Sequence, residues 1–501
     1  MSELLDPEAE EISFEDAVGH LPQAQRTPPL MAVSKPDGGF DPASSLDLRS
    51  ATGRTGMANG RRLAGMFFQE LRWRPQLRVW FAWDGRRWAI DRQQRAEAMA
   101  KLAVDQLWQD VSKLLPDVSP AVAGAMLAHA KSSASKKGIH DMIDLAKSEP
   151  GIAILPEQFD SDPWLLNVND GTVDLRTGVL RDHRRDDFMT KLAPHVFIDG
   201  GVVSPLFDKF LLRIFAGKTN LIEYVQRLFG MALVGQVYEH VLPILWGKHG
   251  ANGKSVLCES VMFALGDYAA QAPPGLLIAA KGHDRHPTEL ADLAGRRAVF
   301  CVETDEDRRL SEARVKQLTG GDRVRGRFMR KDFFEFPASY TIFIVSNHLP
   351  IIRGSDDAFW RRPRVVPFNV VIPIDERDTG LTDKLKLDAA AILAWAVRGC
   401  LEWKRVGLRD PVEVVEATNQ FRRHMDVMAD FIEECCVTGP QFVVRAGDLY
   451  STYKTWCEQH GENKLSGRAF GMHMSGREDE FERFKSSGRW YRGIGLKNDL
   501  Q

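Results

Sequence analysis

The residues best suited to chemistry lie in a glycine-rich turn that ends in Gly253, Lys254 and Ser255. A short apolar run, Val241 to Trp246, precedes the turn, and apolar residues at helical spacing follow it until Gly266. A strand that turns through glycines into a helix is the context of a phosphate-binding loop, because backbone N–H groups and the helix N-terminus then face phosphate oxygens. We expect Lys254 to reach the β- and γ-phosphates and the Ser255 hydroxyl to hold Mg²⁺.

The turn departs from the regular phosphate-loop pattern by one residue. Five residues, and not four, separate Gly247 from Gly253, so that Lys248 stands where the pattern has its first glycine. The alternative is a flexible strand-to-helix turn that contains Gly-Lys-Ser by chance. On the phosphate-loop interpretation, the nucleotide-binding residues are Gly247, Gly250, Asn252, Gly253, Lys254 and Ser255.

A second candidate is the segment from Leu293 to Glu306, in which a buried strand runs into acidic residues. ATPases place carboxylates at such a strand end to hold Mg²⁺ and polarise the attacking water. The 49 residues from Lys254 to Glu303 leave room for one helix and a crossover back to a parallel neighbouring strand. We predict that Glu303 and Asp305 are catalytic and that Glu303 shares Mg²⁺ with Ser255. A solvated acidic turn after a buried strand is the alternative.

Two later strands also end or begin in polar residues. Tyr340 to Pro350 is a buried strand that ends in Ser346-Asn347, where Asn347 can orient the lytic water or contact the γ-phosphate. A turn-forming role is the alternative. Arg361 and Arg362 stand beside an aromatic residue at the start of another strand, a place suited to an arginine that reaches a neighbouring subunit's nucleotide.

A basic segment lies between these strands. Five cations fall within nine residues and alternate with apolar side chains, a pattern that predicts a hairpin able to touch a phosphate backbone: Arg323, Arg325, Arg327, Arg330 and Lys331. An edge strand protected by charge is an equally good interpretation of the residues alone.

Composition limits the class of protein. A chain of 501 residues has room for about three domains, and 44% hydrophobic and 27% charged residues are ordinary values for a soluble protein. A net charge of −2 requires any nucleic-acid site to be local. The six cysteines lack zinc-ligand spacing and are expected to be reduced core residues of a cytosolic protein. An acidic N-terminus and the lack of a bilayer-length apolar run argue against secretion and membrane insertion.

Patterning divides the chain into four parts. Residues 1–58 are expected to be flexible apart from a short helix at Ser13 to Val18, and 59–235 to be mainly helical with hairpins at 78–90 and 165–178. Residues 236–425 hold the candidate site, and 426–501 form a C-terminal part. The aromatic residues of the first hairpin can stack on bases, but packing against helices is favoured: Trp80, Trp83 and Trp88.

The C-terminal part has the pattern of a winged helix. Ala446 to Gln459 is helical, Ser466 caps a second helix that carries Arg468, and 481–494 read as a hairpin that turns at Ser487-Gly488. Residues 464–497 contain eight Lys or Arg and four Asp or Glu, a local charge of +4 that suits phosphate contacts. A winged helix that binds protein is the alternative.

Taken in order, the loop, the acidic strand end, Lys316 to Asp322, Ser346-Asn347 and Trp360-Arg361-Arg362 resemble the superfamily 3 helicases. More narrowly, they resemble the phage, plasmid and poxvirus primase-helicase family. Two further stretches are similar to that family's N-terminal helicase-associated domain: Trp83 to Trp88 and Asn169 to Gly178. The resemblance covers about residues 60 to 500 and is most specific in 293–368.

The resemblance implies an α/β fold with an AAA+-like P-loop NTPase core, a mainly helical N-terminal domain and a C-terminal winged helix. It implies a hexameric ring that moves along DNA with ATP and Mg²⁺. Lys254 and Ser255 match the Walker A motif, Glu303 and Asp305 the Walker B motif, and Asn347 sensor 1. Of the arginine-finger candidates Arg361 and Arg362, Arg362 is preferred. Arg325 to Lys331 match the DNA-engaging hairpin, with Lys331 preferred. No primase domain precedes residue 60, so priming is expected from another chain.

The leading hypothesis is therefore an ATP-driven replicative helicase of a phage, prophage or plasmid, acting on single-stranded or forked DNA in the cytoplasm of a bacterial host. One alternative is a DNA-binding initiator or loader that assembles on DNA without processive unwinding. Another is an ATPase of a mobile-element defence or packaging system.

Overall fold

The N-terminal part combines helices with two small antiparallel sheets. A computed structural model describes residues 46–198, 201–279, 288–303, 309–329, 332–352, 357–425, 427–460, 464–475, 477 and 481–497; the predicted helix at 13–18 lies outside them. The first elements are α1 (Gly56–Phe67), β1 (Leu71–Arg74), β2 (Val79–Trp83), β3 (Trp88–Ile90), α2 (Arg95–Leu114), α3 (Pro120–Ser133), α4 (Lys136–Ala146), β4 (Leu165–Val168), β5 (Gly171–Asp174) and β6 (Val179–Arg181).

Local sequence accounts for these elements. The Thr55, Ser119 and Ser135 side chains accept hydrogen bonds from the first turns of α1, α3 and α4. The predicted helical break is confirmed by a 3-10 turn at Leu115–Asp117. Both predicted hairpins are confirmed, as β2 paired with β3 and β4 with β5. Trp83 and Trp88 are buried, which confirms packing as their role.

The central part is built on a parallel sheet. Its elements are α5 (Pro205–Ile214), α6 (Thr219–Ala232), β7 (Leu242–Trp246), α7 (Lys254–Leu265), β8 (Ala269–Gln271), α8 (Thr288–Ala291), β9 (Ala298–Glu303), α9 (Glu312–Thr319), β10 (Arg323–Gly326), β11 (Phe334–Pro337), β12 (Thr341–Ser346), α10 (Asp357–Trp360), β13 (Pro363–Pro367), α11 (Leu381–Leu387), α12 (Ala389–Val406) and α13 (Val412–His424). Strands predicted from buried apolar runs are confirmed in β7, β9 and β12.

The five strands of this sheet are parallel in the order β13-β7-β12-β9-β8. The expectation that β9 returns beside β7 is wrong, because β12 lies between them and pairs with both. Residue separation limits which crossovers are possible but does not fix which later strand is inserted. The strand β10 pairs with β11 as a separate antiparallel hairpin, so the hairpin predicted for the basic segment is confirmed.

Side chains on the two faces of the sheet enter different cores. Leu245, Phe300 and Phe343 pack with α5, α6, α7 and α12, whereas Ile244, Cys301 and Ile342 pack with α9, α10 and the hairpin. Burial on both faces explains why these strands are nearly continuous apolar runs. The first core extends from Trp164 to Val414, so packing does not break at residue 235.

The C-terminal part has its own core. It comprises α14 (Val427–Cys435), β14 (Cys436–Arg445), α15 (Ala446–His460), α16 (Gly467–Ser475), β15 (Glu482–Lys485) and β16 (Arg489–Leu496). The strands are antiparallel in the order β14-β16-β15. The predicted helices are confirmed, and Ser466 accepts a hydrogen bond from the Ala469 N–H at the start of α16. None of the described helices is both long and apolar enough to cross a membrane.

The helices α6 and α12 cross in direct backbone contact beneath the sheet. A Cβ atom on Gly230 would lie 2.1 Å from the Cys400 nitrogen, and one on Gly399 would lie 2.1 Å from the Gln226 oxygen. The crossing therefore depends on glycine in both helices.

Replacing Gly399 with alanine is expected to destabilise the protein by about 3 kcal/mol, since the helices must separate to admit the methyl group. Thermal unfolding followed by circular dichroism measures the effect. The matched control is Gly65→Ala in α1, where no atom lies within 4 Å and alanine should stabilise the helix by up to about 1 kcal/mol. A Gly399→Ala protein that unfolds at the wild-type temperature would contradict the role of this contact.

Candidate functional site

The polar residues predicted from the sequence gather at one edge of the parallel sheet. The register pairs Ser346 with Trp246 and with Glu303, and it pairs Pro367 with Trp246. The carboxyl ends of β7, β9, β12 and β13 are therefore level with one another. The sheet changes direction at β7, and in open parallel sheets ligands bind beyond the carboxyl ends of the strands at such a point.

The glycine-rich turn needs glycine at two of its three positions. Gly253 has φ +84°, and a Cβ atom there would lie 2.4 Å from Ile214 Cγ2. A Cβ atom on Gly247 would lie 2.5 Å from the Phe368 oxygen. Gly250 differs, because no atom lies within 4 Å of its Cβ position. The close approach at Gly247 shows that it occupies the first constrained position of the turn despite the extra residue.

Asn252 closes the longer turn from inside. Its side chain is buried, and Nδ2 donates a hydrogen bond of 2.6 Å to the His249 oxygen. Its Oδ1 atom accepts a hydrogen bond of 3.4 Å from the Lys254 N–H. Ala251 adopts a left-handed conformation with φ +55°, and its oxygen accepts a 2.8 Å hydrogen bond from the Ile372 N–H. The loop is thus held in one shape by its own side chain and by the segment after β13.

Lys254 joins the turn to the next strand of the sheet. Its Nζ atom donates hydrogen bonds of 2.8 Å to Asn347 Oδ1 and 3.1 Å to the Gly247 oxygen. Only 5% of the residue is exposed. Burial among neutral partners lowers the pKa of Lys254 to about 8, since the charged amine loses hydration without gaining a carboxylate. The structure thus brings together Lys254 and Asn347, which are 93 residues apart in the sequence.

The remaining predicted ligands lie at the same edge or outside the described residues. Ser255 is exposed at the second position of α7. Glu303 is the last residue of β9, and only its backbone is described, while Asp305 lies outside the described residues. The Mg²⁺ ligand set therefore stays a prediction.

The two candidate finger arginines have different environments. Arg362 is buried, and its guanidinium donates hydrogen bonds to Thr319 Oγ1 at 3.1 Å and to the Ala358 oxygen. Arg361 is exposed. An arginine that reaches a neighbouring subunit must leave its own chain, so exposure favours Arg361, against the preference for Arg362. The finger itself stays a prediction.

The basic hairpin combines cations with an aromatic ring. The guanidinium carbons of Arg325 and Arg327 lie 4.5 Å and 4.7 Å from the centre of the Phe333 ring, which is 46% exposed. Arg330 and Lys331 lie outside the described residues. Sequence reasoning missed Phe333; the signal was an aromatic residue two positions after the basic run, but the hairpin register was needed to place it opposite the arginines.

In the C-terminal part, Arg468 is exposed near the start of α16. Phe470 and Met474 of the same helix are buried in the local core. The helix therefore presents Arg468 to solvent while its apolar residues hold it against α15 and the sheet.

Three family models match successive parts of the chain. Residues 60–216 match the family described as D5 N terminal like. Residues 245–362, which include the glycine-rich turn and Asn347, match a family of unknown function, DUF5906. Residues 423–486 match the family described as Poxvirus D5 protein-like.

Individual relatives are proteins of large DNA viruses. A provisionally named helicase of Acanthamoeba polyphaga mimivirus is 27% identical over 328 residues, which cover 61% of this chain and 34% of that protein. A provisionally named helicase of Frog virus 3 (isolate Goorha) is 25% identical over 396 residues, covering 62% and 40%. The chain thus spans 34% to 40% of the length of these two relatives.

Among solved structures, the chain is similar to the C-terminal region of NrS-1 in its apo form. The TM-score is 0.44 at 11% identity, with 85% of this chain and 95% of that chain covered. The D5-type family models and the viral relatives confirm the resemblance predicted from the motifs. The chain belongs to the phage, plasmid and poxvirus primase-helicase family of the superfamily 3 helicases.

Proposed function

We propose that the chain hydrolyses ATP with Mg²⁺ in an oligomeric ring and uses the energy to move along single-stranded DNA and unwind duplex DNA. The observation that carries the proposal is the contact between Lys254 and Asn347, because it joins a glycine-rich loop to a polar strand end at the switch point of a parallel sheet. The helicase names of the viral relatives support the same activity.

The central part is proposed to be an AAA+-like P-loop core. Supporting features are the strand-loop-helix unit of β7 and α7, the left-handed Gly253 before the helix, and a buried lysine at its first position. The C-terminal part is proposed to be a winged helix, supported by three helices and a three-stranded sheet in which β15 and β16 form the wing.

In this proposal the chain's own groups divide the work on ATP. Lys254 exchanges Asn347 and the Gly247 oxygen for phosphate oxygens, which frees the Asn347 amide to orient the attacking water. Ser255 and Glu303 supply hard oxygen ligands of the kind that Mg²⁺ prefers, and the ion would neutralise charge on the phosphates. Asp305 is the second proposed carboxylate.

The DNA contacts are proposed to come from the hairpin and the C-terminal part. Arg325 and Arg327, with Arg330 and Lys331, bind phosphates, while the exposed Phe333 ring stacks on a base. Arg468 contacts the duplex ahead of the ring. The relatives infect eukaryotic hosts, so a bacterial host and a phage, prophage or plasmid origin stay predictions, as does a separate primase.

An initiator or loader is the second candidate. The exposed Arg468 on a basic winged-helix-like part favours it, since such a domain can hold duplex DNA without translocation. Strand displacement separates the two functions. With ATP and Mg²⁺, the wild-type chain should release a labelled strand from a forked duplex, and Lys254→Ala should not. Duplex binding without strand release would favour the initiator.

The proposal predicts that nucleotide affinity depends on the protonation of Lys254. In the nucleotide-free protein its pKa is about 8, so the amine is charged below that pH and binding is independent of pH. Above it, a proton must be taken up with the nucleotide, and the affinity should fall towards tenfold per pH unit. Fluorescence titration with a non-hydrolysable ATP analogue from about pH 7 to about pH 9.5 measures this, with Lys254→Met as a weak-binding control that has no break. A constant wild-type affinity would be inconsistent with the lysine contact.

Arg361 is expected to act in the nucleotide site of the neighbouring subunit. Arg361→Ala should lower the rate of hydrolysis by about 10³-fold or more. Mixing it with Lys254→Ala should restore activity, to roughly a quarter of wild type for random assembly, because some interfaces then contain one intact lysine and one intact arginine. Arg362→Ala should instead lower the unfolding temperature, since Thr319 loses its buried partner. An Arg361→Ala protein with wild-type turnover would rule out the assignment.

Phe333 is expected to contribute to strand binding through its exposed ring. Phe333→Ala should weaken binding of a labelled oligonucleotide about tenfold, because a stacked base and the alignment of both arginines are lost. Phe333→Trp should retain affinity. The matched control is Met329→Ala, which removes an equally accessible side chain, 70% exposed, from the same hairpin. Equal fluorescence anisotropy titrations for the two alanine variants would count against a stacking role.

A further inference from the structure

Two half-buried cations lack an acidic partner. Arg74 ends β1, and Lys191 lies in the segment that follows β6. Burial lowers the pKa of both groups. Within the described part of the chain, neither side chain makes a hydrogen bond or an ion pair, and Nε of Arg74 is buried without a partner.

The two cations share one location, between the N-terminal sheets and the central sheet. Lys191 packs on the turn before β9, where a Cβ atom on Gly295 would lie 2.9 Å from Lys191 Cε. The charges of Arg74, Arg87 and Arg296 all act on Lys191 and lower its pKa. Four cations therefore lie within electrostatic range of one another.

The other two cations of this group are satisfied. Arg87 forms an ion pair with Asp267, and Arg296 donates hydrogen bonds to the backbone oxygens of Asp267 and Ala269. Only Arg74 and Lys191 are left with their positive charge uncompensated by a direct contact.

The nearest acids are already engaged. Asp160 acts electrostatically on both Arg74 and Lys191, but its Oδ1 atom accepts a 2.8 Å hydrogen bond from the Thr190 N–H and Oδ2 accepts one from the Thr190 hydroxyl. Glu157 acts on Arg74, but its Oε1 atom lies 3.8 Å from Nη2 of Arg323. Half-buried cations without a contacting acid are unfavourable unless an anion joins them.

The same ion pair links this location to the basic hairpin. Arg323 is the first residue of β10, and Arg325 and Arg327 follow it along the hairpin. Glu157 thus lies between the base of the hairpin and Arg74. A chain of phosphates that leaves the hairpin at its base meets Arg74 and Lys191 next.

We propose that Arg74 and Lys191 bind successive phosphates of the single nucleic acid strand held by the basic hairpin, in a site between the N-terminal sheets and the ATPase core. This inference rests on the proposed function. The strand supplies the anion that the surrounding residues do not, and the N-terminal part thereby becomes a strand-binding surface in its own right.

The test measures how the affinity of the full chain for a fluorescein-labelled oligo-dT depends on salt. Each lost phosphate contact on a single strand should reduce the slope of log K against log salt by about 0.7. Arg74→Gln with Lys191→Gln is therefore expected to flatten the slope by about 1.4, and Lys191→Gln alone, a safeguard against misfolding of the pair, by about 0.7. The charge-retaining pair Arg74→Lys with Lys191→Arg should keep the wild-type slope.

Two further pairs of substitutions make the outcome specific. Arg213→Gln with Lys384→Gln removes two exposed cations that already pair with acids, and it should leave the slope unchanged. Arg325→Gln with Arg327→Gln tests the hairpin. A wild-type slope in the Arg74 and Lys191 variants, with weaker binding in the hairpin pair, would overturn this inference and leave the proposed function standing. No oligonucleotide binding by the wild-type chain would overturn both.

A small anion is distinguished from a strand by inorganic pyrophosphate. If pyrophosphate raises the unfolding temperature of the wild type but not of Arg74→Gln with Lys191→Gln, and the oligonucleotide slope is unchanged, the site binds a free anion and the strand assignment is wrong. The expected result is a change in the oligonucleotide slope. In the absence of ligand the double variant should be at least as stable as wild type, because two uncompensated charges are removed.

Discussion

The hydrogen bond from Lys254 to Asn347 holds the candidate site together, and the register of the parallel sheet makes it possible. Only when β7 and β12 are direct neighbours do the glycine-rich turn and the Ser-Asn strand end come within 2.8 Å. The bond lies in a protein interior, so the lysine has a lowered pKa and a strong preference for an anionic partner. A phosphate group is such a partner, and the same residues that stabilise the empty loop are those that would bind it.

The layers on either side of the sheet make this register rigid. On one side, α6 and α12 cross at Gly230 and Gly399 with their backbones in contact, and the core they form extends into the N-terminal part. On the other side, Arg362 ties α10 to α9 through Thr319, which fixes the segment from which the basic hairpin emerges. The nucleotide edge, the hairpin and the N-terminal sheets are thus connected through packed elements, as coupling between hydrolysis and movement on DNA requires.

The sequence was sufficient for elements whose signal is local. Apolar runs, turn residues and caps predicted β7, α7, the hairpins and the C-terminal helices, and glycine spacing indicated the loop. It failed where a contact joins distant segments. The insertion of β12 beside β7, the burial of Arg362 by Thr319, and the pairing of Phe333 with two arginines each depend on tertiary packing or strand register. The family resemblance did not correct these points, because it assigns roles to motif positions and not to exposed or buried side chains.

The most direct measurement is steady-state ATP hydrolysis with and without single-stranded DNA, for the wild-type chain and Lys254→Ala. A DNA-driven motor predicts that the strand accelerates hydrolysis by the wild type and that the substitution abolishes turnover under both conditions, because the lysine that binds the phosphates is gone. Wild-type turnover that is the same with and without DNA would contradict coupling between the two sites. Undiminished turnover in Lys254→Ala would contradict the nucleotide site itself.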